Sequence, residues 1–475
     1  MAGELLLGGE WVSGERKLAV HNKFNGRLLD EVSIADSSML ERAVSAAREC
    51  ADGRIPSPRE RSQWLSRAAS LLEERSEAMA RGIAEEAGKP IQLARAEVRR
   101  AVETLTVSAE EAKRIAGYEV PVAAAPGAEN RLAFTMRFPL GVVCAITPFN
   151  YPLNLSCHKI GPALASGNTV VWKPASTTPL TALSLAQILF DAGVPAGFLN
   201  VVVGSGVEVG DALLRDPRID FYTFTGSLAV GEHIHRTIGV RRAALELGST
   251  CGVIVHEDAD LTQALDSCVS GAFDYAGQNC DGVQRIFVHQ KVYAEFRERF
   301  ASAATNLRLG DPLDPTVDVG PMISTSAAVE ALGRVTSALE EGGTALTGAR
   351  LDRSLLAPTV LENVALSHQV AAEEIFAPVA VLFQYTDINA AVGMLNASRY
   401  GLQAGVFTRD LETAWKVARK AQVGGVMVNE SSCYRCDLMP FGGAKMSGIG
   451  REGPRHAISE MTEERLVLFN LSPEG

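Results

Sequence analysis

A cysteine in a glycine-flanked loop, Gly277-Gln278-Asn279-Cys280, and a carboxylate in an apolar run, Leu245-Glu246-Leu247-Gly248, are the two halves of one chemistry. A thiolate attacks a carbonyl carbon, and a carboxylate then activates the water that clears the acylated sulfur. Sulfur is a useful nucleophile only as the thiolate, so Cys280 requires surroundings that lower its reference pKa of about 8.5. Glu246 requires the opposite, and the flanking Leu245 and Leu247 raise a carboxyl pKa by desolvation. Asn150, in Thr147-Pro148-Phe149-Asn150-Tyr151-Pro152-Leu153, has stiff flanking backbone from which its amide can face a developing oxyanion; a turn asparagine fits the same residues. A lone cysteine is also often just a small buried hydrophobe. The elements that position these groups decide between the readings.

From Gly141 to Val255 short apolar runs alternate with helix-length segments: Val142–Ile146, Thr169–Trp172, Asn200–Val203, Phe221–Phe224 and Ala243–Leu247. That alternation predicts a parallel sheet with crossover helices, the usual dinucleotide-binding architecture. A second alternating block runs from Leu261 to about Val428, with helices over Leu261–Tyr275, Val292–Asn306, Ser324–Glu341 and Asn389–Ser398. Its strand candidates are Arg285–His289, Val379–Tyr385 and Gly405–Thr408. Residues 1–35 read as strands and turns, and residues 37–117 as helices punctuated by Pro56, Pro58 and Pro90. Tyr118 to Arg137 is an extended, Pro- and Ala-rich ribbon, and Glu463–Leu471 reads as one more strand.

Composition narrows the partners. The 475 residues allow two or three domains, and the net charge of −11 argues against nucleic acid or an anionic membrane. A small anionic ligand is still compatible with local arginines. No apolar run approaches a membrane span, and the N-terminus lacks the basic start and apolar core of a signal peptide, so cytoplasmic residence is expected. Eight scattered cysteines read as reduced thiols.

Two glycine turns follow strands of the first block. Gly204-Ser205-Gly206-Val207-Glu208-Val209-Gly210 has the spacing G-x-G-x-x-x-G, one residue off the dinucleotide fingerprint, and a plain turn fits it as well. Phe224-Thr225-Gly226-Ser227 puts a hydroxyl at a helix start, where it caps the helix or meets an anion. Two such turns in neighbouring units favour a pyrophosphate cradle over either turn alone.

Together, Pro148–Leu153, Trp172-Lys173-Pro174-Ala175-Ser176, Phe224–Ser227, Glu246–Gly248, Gly277–Cys280, Glu374-Ile375-Phe376-Ala377-Pro378-Val379, Pro440-Phe441-Gly442-Gly443 and Lys445-x-Ser447-Gly448-x-Gly450-Arg451-Glu452-Gly453 resemble the aldehyde dehydrogenase superfamily. The matches keep the family's order and span nearly the whole chain. The resemblance implies Cys280 as the nucleophile that gives a thiohemiacetal, with Asn150 and the Cys280 N–H holding its oxyanion. Glu246 would be the base that hydrolyses the later thioester. Glu452 would relay protons or serve in an ion pair. For NAD or NADP, Lys173 would meet the adenosine ribose and Gly226 and Ser227 the pyrophosphate. Glu374 would hold the nicotinamide ribose, and Phe376 would pack near the nicotinamide ring. Ser176, Gly206, Gly210 and Phe224 complete the candidate cofactor contacts.

Departures bear on specificity. NAD-selective members often carry a glutamate where this chain has Ser176, so NADP is expected to be tolerated alongside NAD. Ser249 replaces a second glycine after Glu246-Leu247-Gly248, with only a small backbone effect expected, and Ala377 replaces another. The segment Val428–Pro440 resembles the branch acting on lactaldehyde, glyceraldehyde 3-phosphate and phosphonoacetaldehyde. Arg435, then Arg100, then Arg285 are candidate clamps for a substrate anion, each with a structural arginine as the alternative. Tyr151 and Asn279 join them as candidate substrate contacts. Asn279 stands where phosphate- and phosphonate-using relatives often place an arginine. No metal is expected: Cys433-x-x-Cys436 lacks a second ligand pair, and His158, His233 and His235 sit in helical segments.

The expected fold class is therefore α/β, an aldehyde dehydrogenase fold with two parallel-sheet domains and a small oligomerisation arm. The resemblance implies a cofactor domain of 1–117 and 138–247, a catalytic domain of 248–459, and an arm of 118–137 and 460–475 that forms a homodimer or homotetramer. The expected reaction is oxidation of a small, anionic aldehyde to its acid. A CoA-acylating enzyme, which needs no general base, and a silent structural homologue are the rivals; Glu246 opposes the first, and intact Cys280, Asn150 and Glu246 the second.

Overall fold

The computed structural model describes residues 3–471; the expected domain ends at residues 1–2 and 472–475 lie outside the described residues. Two parallel sheets organise the chain. In the first, the order is Gly448–Ile449, Arg242–Glu246, Phe221–Thr225, Val142–Ile146, Thr169–Lys173, Leu199–Val201. All neighbours are parallel except the short edge strand Gly448–Ile449, which runs antiparallel to Leu245–Glu246. The near-continuous apolar sequence of Val142–Ile146 and Thr169–Lys173 follows from helices covering both faces of such a sheet. Strand order reverses at Val142–Ile146, whose carboxyl end opens the crevice where a doubly wound sheet receives its ligand.

The helices around that sheet are cut by local signals. Pro58–Glu74 starts at a reciprocal capping box between Ser57 and Glu60, with Pro58 in the first turn. Asn154–Ser166 is buried along its whole length. Its first N–H groups donate from Leu153 and Asn154 to Glu97 Oε1 at 2.9 and 3.1 Å, and Glu97 in turn holds the buried Lys89. The Lys89 ammonium lies 3.6 Å from the Tyr151 ring centroid, which ties the Asn150–Asn154 bend to the helices beneath it.

The second sheet has the order Thr344–Thr347, Thr359–Glu362, Val379–Tyr385, Arg285–His289, Gly252–Val255, Gln403–Phe407, Gly425–Val428, parallel except at its first pair. Each sheet has its own large apolar core. Thr462–Asn470, Arg131–Pro139 and Glu119–Val120 form a separate antiparallel ribbon, with pairing running two residues past the expected end at Arg137. The Leu261–Tyr275 helix is shorter than expected, ending at Phe273. Among the described residues no helix is long and apolar enough to cross a membrane, and none of their His, Cys, Asp and Glu side chains form a group that could hold a metal.

Candidate active site

The nucleophile loop leaves helix Leu261–Phe273 through three successive left-handed residues, Tyr275 (φ 50°), Ala276 (φ 53°) and Gly277 (φ 65°). Such backbone costs a non-glycine residue roughly 1–2 kcal/mol, so surrounding contacts must impose it. The buried Tyr275 hydroxyl donates to Ala87 O at 2.8 Å. Gln278 Nε2 donates to Tyr275 O at 3.2 Å, and Gln278 Oε1 accepts from Ile323 N at 2.9 Å. At Gly277 a Cβ would meet Ala377 O at 2.1 Å, so no side chain fits. Ser249 adds a further tie, donating to Cys280 O at 2.5 Å while its N–H donates to Glu374 Oε1 at 2.9 Å. The sequence reading expected little from this serine; its hydroxyl instead fastens the loop that carries the thiol.

Cys280 opens onto a cavity of about 150 Å³ that Arg100, Tyr151, Asn279, Asp281, Cys433 and Arg435 also line. A larger hollow of about 580 Å³, beside Trp11, Met79 and Gln187, contains none of the candidate residues. Asn150 is buried, and one N–H of its amide donates to Gln278 O at 2.9 Å, which leaves the second free. The Cys280 N–H has no acceptor among the described residues. Asn150, tied to the nucleophile loop through Gln278, and the Cys280 backbone thus each keep a donor uncommitted among the described residues.

The ionisation pattern differs from the sequence expectation at one point. Burial pushes the Cys280 thiol well above its ordinary range, the Asp281 carboxylate adds to the rise, and Arg435 offsets only part of it. The free protein therefore holds a thiol, where a lowered pKa was expected. Glu246 is also pushed well above the carboxyl range, first by burial and then by the nearby Glu452. Among the described residues neither Glu246 oxygen has a hydrogen-bond partner, and an added Cβ at Gly442 would lie 2.9 Å from Oε1. Burial acts on Glu452 too, but Lys159 Nζ at 2.8 Å and Arg435 Nη2 at 3.1 Å outweigh it and hold its carboxyl at about 2. Burial thus favours the neutral form of Glu246, whereas Lys159 and Arg435 favour the charged form of Glu452.

The crevice fits a dinucleotide. Lys173 is buried, its pKa lowered to about 8 by desolvation, and among the described residues its ammonium meets only Pro174 O, at 3.4 Å. Ser176 Oγ donates to Gly204 O at 2.7 Å, which brings it beside the Gly206–Gly210 turn. Gly210 approaches the Lys173 stem, whereas Gly206 faces open space. Ser227 stands at the start of helix Leu228–Ile238, yet its side chain makes no capping bond, so hydroxyl and helix terminus are both available to a phosphate. At Gly226 a Cβ would come within 2.5 Å of the Phe224 ring, so the turn stays bare. Deeper in the crevice, Glu374 has its carboxyl raised to about 7 by burial, and Phe376 (φ 50°) meets Phe149 edge-on at 5.9 Å.

Of the candidate anion clamps, Arg435 and Arg100 line the cavity and Arg285 does not. Arg285 lies in a central strand, where its guanidinium donates to the carbonyls of Thr250, Met394 and Leu395. That makes it a structural arginine. Arg435 is nearly enclosed, stacked 3.9 Å from the Phe441 ring centroid, and its Nε has no partner. Arg100 donates from Nε and Nη2 to Asp437 at 3.2 and 3.0 Å. Asp437 also meets Asn154 Nδ2 at 3.1 Å and His158 Nε2 at 2.8 Å. The sequence reading did not find Asp281, Asp437 or Lys159, because each meets its site partners through long-range contacts that no local motif marks.

A profile of the aldehyde dehydrogenase family matches residues 11–467, and the chain belongs to that family. It is an oxidoreductase that acts on an aldehyde group with NAD or NADP. It is 46% identical over 467 residues to 3-sulfolactaldehyde dehydrogenase of Priestia aryabhattai, covering 98% of each chain. Among solved structures it is similar to aldehyde dehydrogenase 21 of Physcomitrella patens in complex with succinate (36% identity, TM-score 0.97, 99% of each chain). It also resembles glyceraldehyde-3-phosphate dehydrogenase of Methanocaldococcus jannaschii complexed with NADP (37% identity, TM-score 0.92, 96% of this chain and 100% of that one).

Proposed function

We propose that this enzyme oxidises a small anionic aldehyde to its carboxylic acid through a thioester on Cys280. The observation that carries the anionic part is the pair of guanidinium groups on the nucleophile's cavity. Among the described residues Arg435 and Arg100 each keep Nη1 uncommitted, while Nε of Arg435 is buried. A volume of about 150 Å³ equals roughly five waters at about 30 Å³ each, which suits an aldehyde of three or four carbons. The named relatives act on sulfonated and phosphorylated aldehydes of that size.

In this reading the Cys280 thiol loses its proton to water, and the resulting thiolate attacks the carbonyl carbon. The Asn150 amide and the Cys280 N–H hold the oxyanion. The nicotinamide supplies the hydride acceptor when it is bound in the crevice. Glu246, in the ionised form that rising pH populates, takes a proton from the water that cleaves the thioester, and the buried Lys159–Glu452–Arg435 cluster sets the field in which it does so.

A kinetic panel of sulfolactaldehyde, glyceraldehyde 3-phosphate, phosphonoacetaldehyde and lactaldehyde, with NAD and NADP, tests the anion reading. Arg435→Met is expected to lower kcat/KM for the anionic members by about 10–100-fold, the value of a charged hydrogen bond, and to change lactaldehyde much less. Equal losses on all four substrates would reject the clamp.

The ribbon supports an assembly through the arm. Its outer strand Thr462–Asn470 has one unpaired edge, and Leu466, Leu468 and Phe469 are exposed along with Leu132 and Met136 of the neighbouring strand. A dimer or tetramer is expected by light scattering, and a monomer of 50.6 kDa at micromolar concentration would contradict it.

A further inference from the structure

We propose that Asp281, the residue after the nucleophile, makes the enzyme select aldehydes that carry a hydroxyl or ammonium group on the carbon next to the carbonyl. The inference rests on the cavity at Cys280 being the substrate site. Asp281 lines that cavity together with Cys280, Arg100 and Arg435. The two guanidinium groups are already engaged by other carboxylates, Arg100 by Asp437 and Arg435 by Glu452, and among the described residues Asp281 makes no ion pair. Its backbone carbonyl accepts from the Cys433 thiol at 3.1 Å and from the Ser432 hydroxyl at 2.7 Å, which fixes the residue at the cavity wall. Burial raises its carboxyl to about 6 against the pull of Arg435 and Arg100, so it is largely ionised at neutral pH.

An ionised carboxylate only accepts hydrogen bonds and offers about four lone-pair sites. Consecutive Cα atoms are about 3.8 Å apart, so once the aldehyde carbon is joined to Cys280 Sγ, its next carbon lies within reach of the neighbouring side chain. A donor there satisfies the carboxylate. An unsubstituted carbon displaces water from it and leaves a half-buried charge with less hydrogen bonding, and sites built this way discriminate strongly against the analogue that lacks the donor. The arginines and the aspartate thus read different ends of one molecule: anion at the far end, donor beside the carbonyl.

Lactaldehyde and propanal differ only in that hydroxyl, and neither carries an anion. Wild-type enzyme is expected to favour lactaldehyde in kcat/KM by about 100-fold or more. Asp281→Ala should bring the ratio to within about threefold of unity, and Asp281→Asn, which keeps one acceptor oxygen, should give a value between. A purely structural role would depress both aldehydes alike and leave the ratio at its wild-type value; that result overturns the proposal, as does a wild-type ratio near one. The arginine reading fails separately. Loss of the preference for anionic aldehydes with the lactaldehyde ratio intact removes the clamp but not the role of Asp281, and the converse outcome does the reverse.

Discussion

Cys280→Ala is expected to abolish aldehyde oxidation, a fall of about four orders of magnitude or more in kcat, while binding of NADP stays as it was. Removing the nucleophile takes away the covalent route itself, and the other groups then have no acylated sulfur to act on. Lys173, Ser176 and Ser227 follow strands of the first sheet and are not part of the loop that carries the thiol. Titration of NADP by fluorescence alongside the kinetics separates the two effects, and an alanine variant with measurable steady turnover would remove Cys280 from the mechanism. The same residue gives a pH test in the free enzyme. A thiol whose pKa is raised keeps its proton at neutral pH and yields thiolate only as pH climbs. Alkylation of Cys280 by iodoacetamide, followed by peptide mass, should keep accelerating past pH 9, where an ordinary exposed cysteine of pKa about 8.5 has levelled off. Full reactivity at pH 7 would contradict the burial seen here.

The second large effect is expected at Glu246. Glutamine there keeps the shape of the side chain but cannot accept a proton from water, so hydride transfer proceeds once and the thioester persists. Mixing with saturating aldehyde should give a burst near one equivalent of reduced cofactor per active site. A steady rate lower by about 10²–10⁴-fold then follows, the usual value of a positioned base. Intact mass should show the acyl group retained on the protein. Because burial and Glu452 raise the Glu246 carboxyl, its basic form grows as pH rises, and hydrolysis of the thioester should quicken with it in the wild type. A variant without burst or slowdown would assign the water activation elsewhere.

Much of this arrangement was legible from local sequence because the relevant signals are local. Continuous apolar runs marked the parallel strands, and glycines marked the turns that follow them. Cys280, Asn150 and Glu246 all lie within two to four residues of such punctuation. What escaped was set by distance in the chain. Arg285 stood third among the candidate clamps with a structural arginine as the alternative, and its place in a central strand turns its guanidinium to three carbonyls. Ser249 looked like a small backbone change, yet it hydrogen-bonds a residue 31 positions away. The left-handed turn at Tyr275 and Ala276 has no glycine to announce it, and contacts from Ala87 and the Gly277–Ala377 approach impose it. The two acids beside the cavity arginines are separated from them by hundreds of residues or by one bend, and charge alone gave no pairing.

The short strand Gly448–Ile449 lies in sequence beyond the whole second sheet, yet it completes the first one beside Leu245 and Glu246. Residues 138–247 expressed alone would therefore lack an edge and leave the strand that bears the base bare on one side. A chimera that exchanged nucleotide specificity by transplanting that unit would have to bring residues 444–453 with it. A change at a side chain such as Ser176, which hydrogen-bonds within the first sheet's own loops and not across that seam, needs no such companion segment.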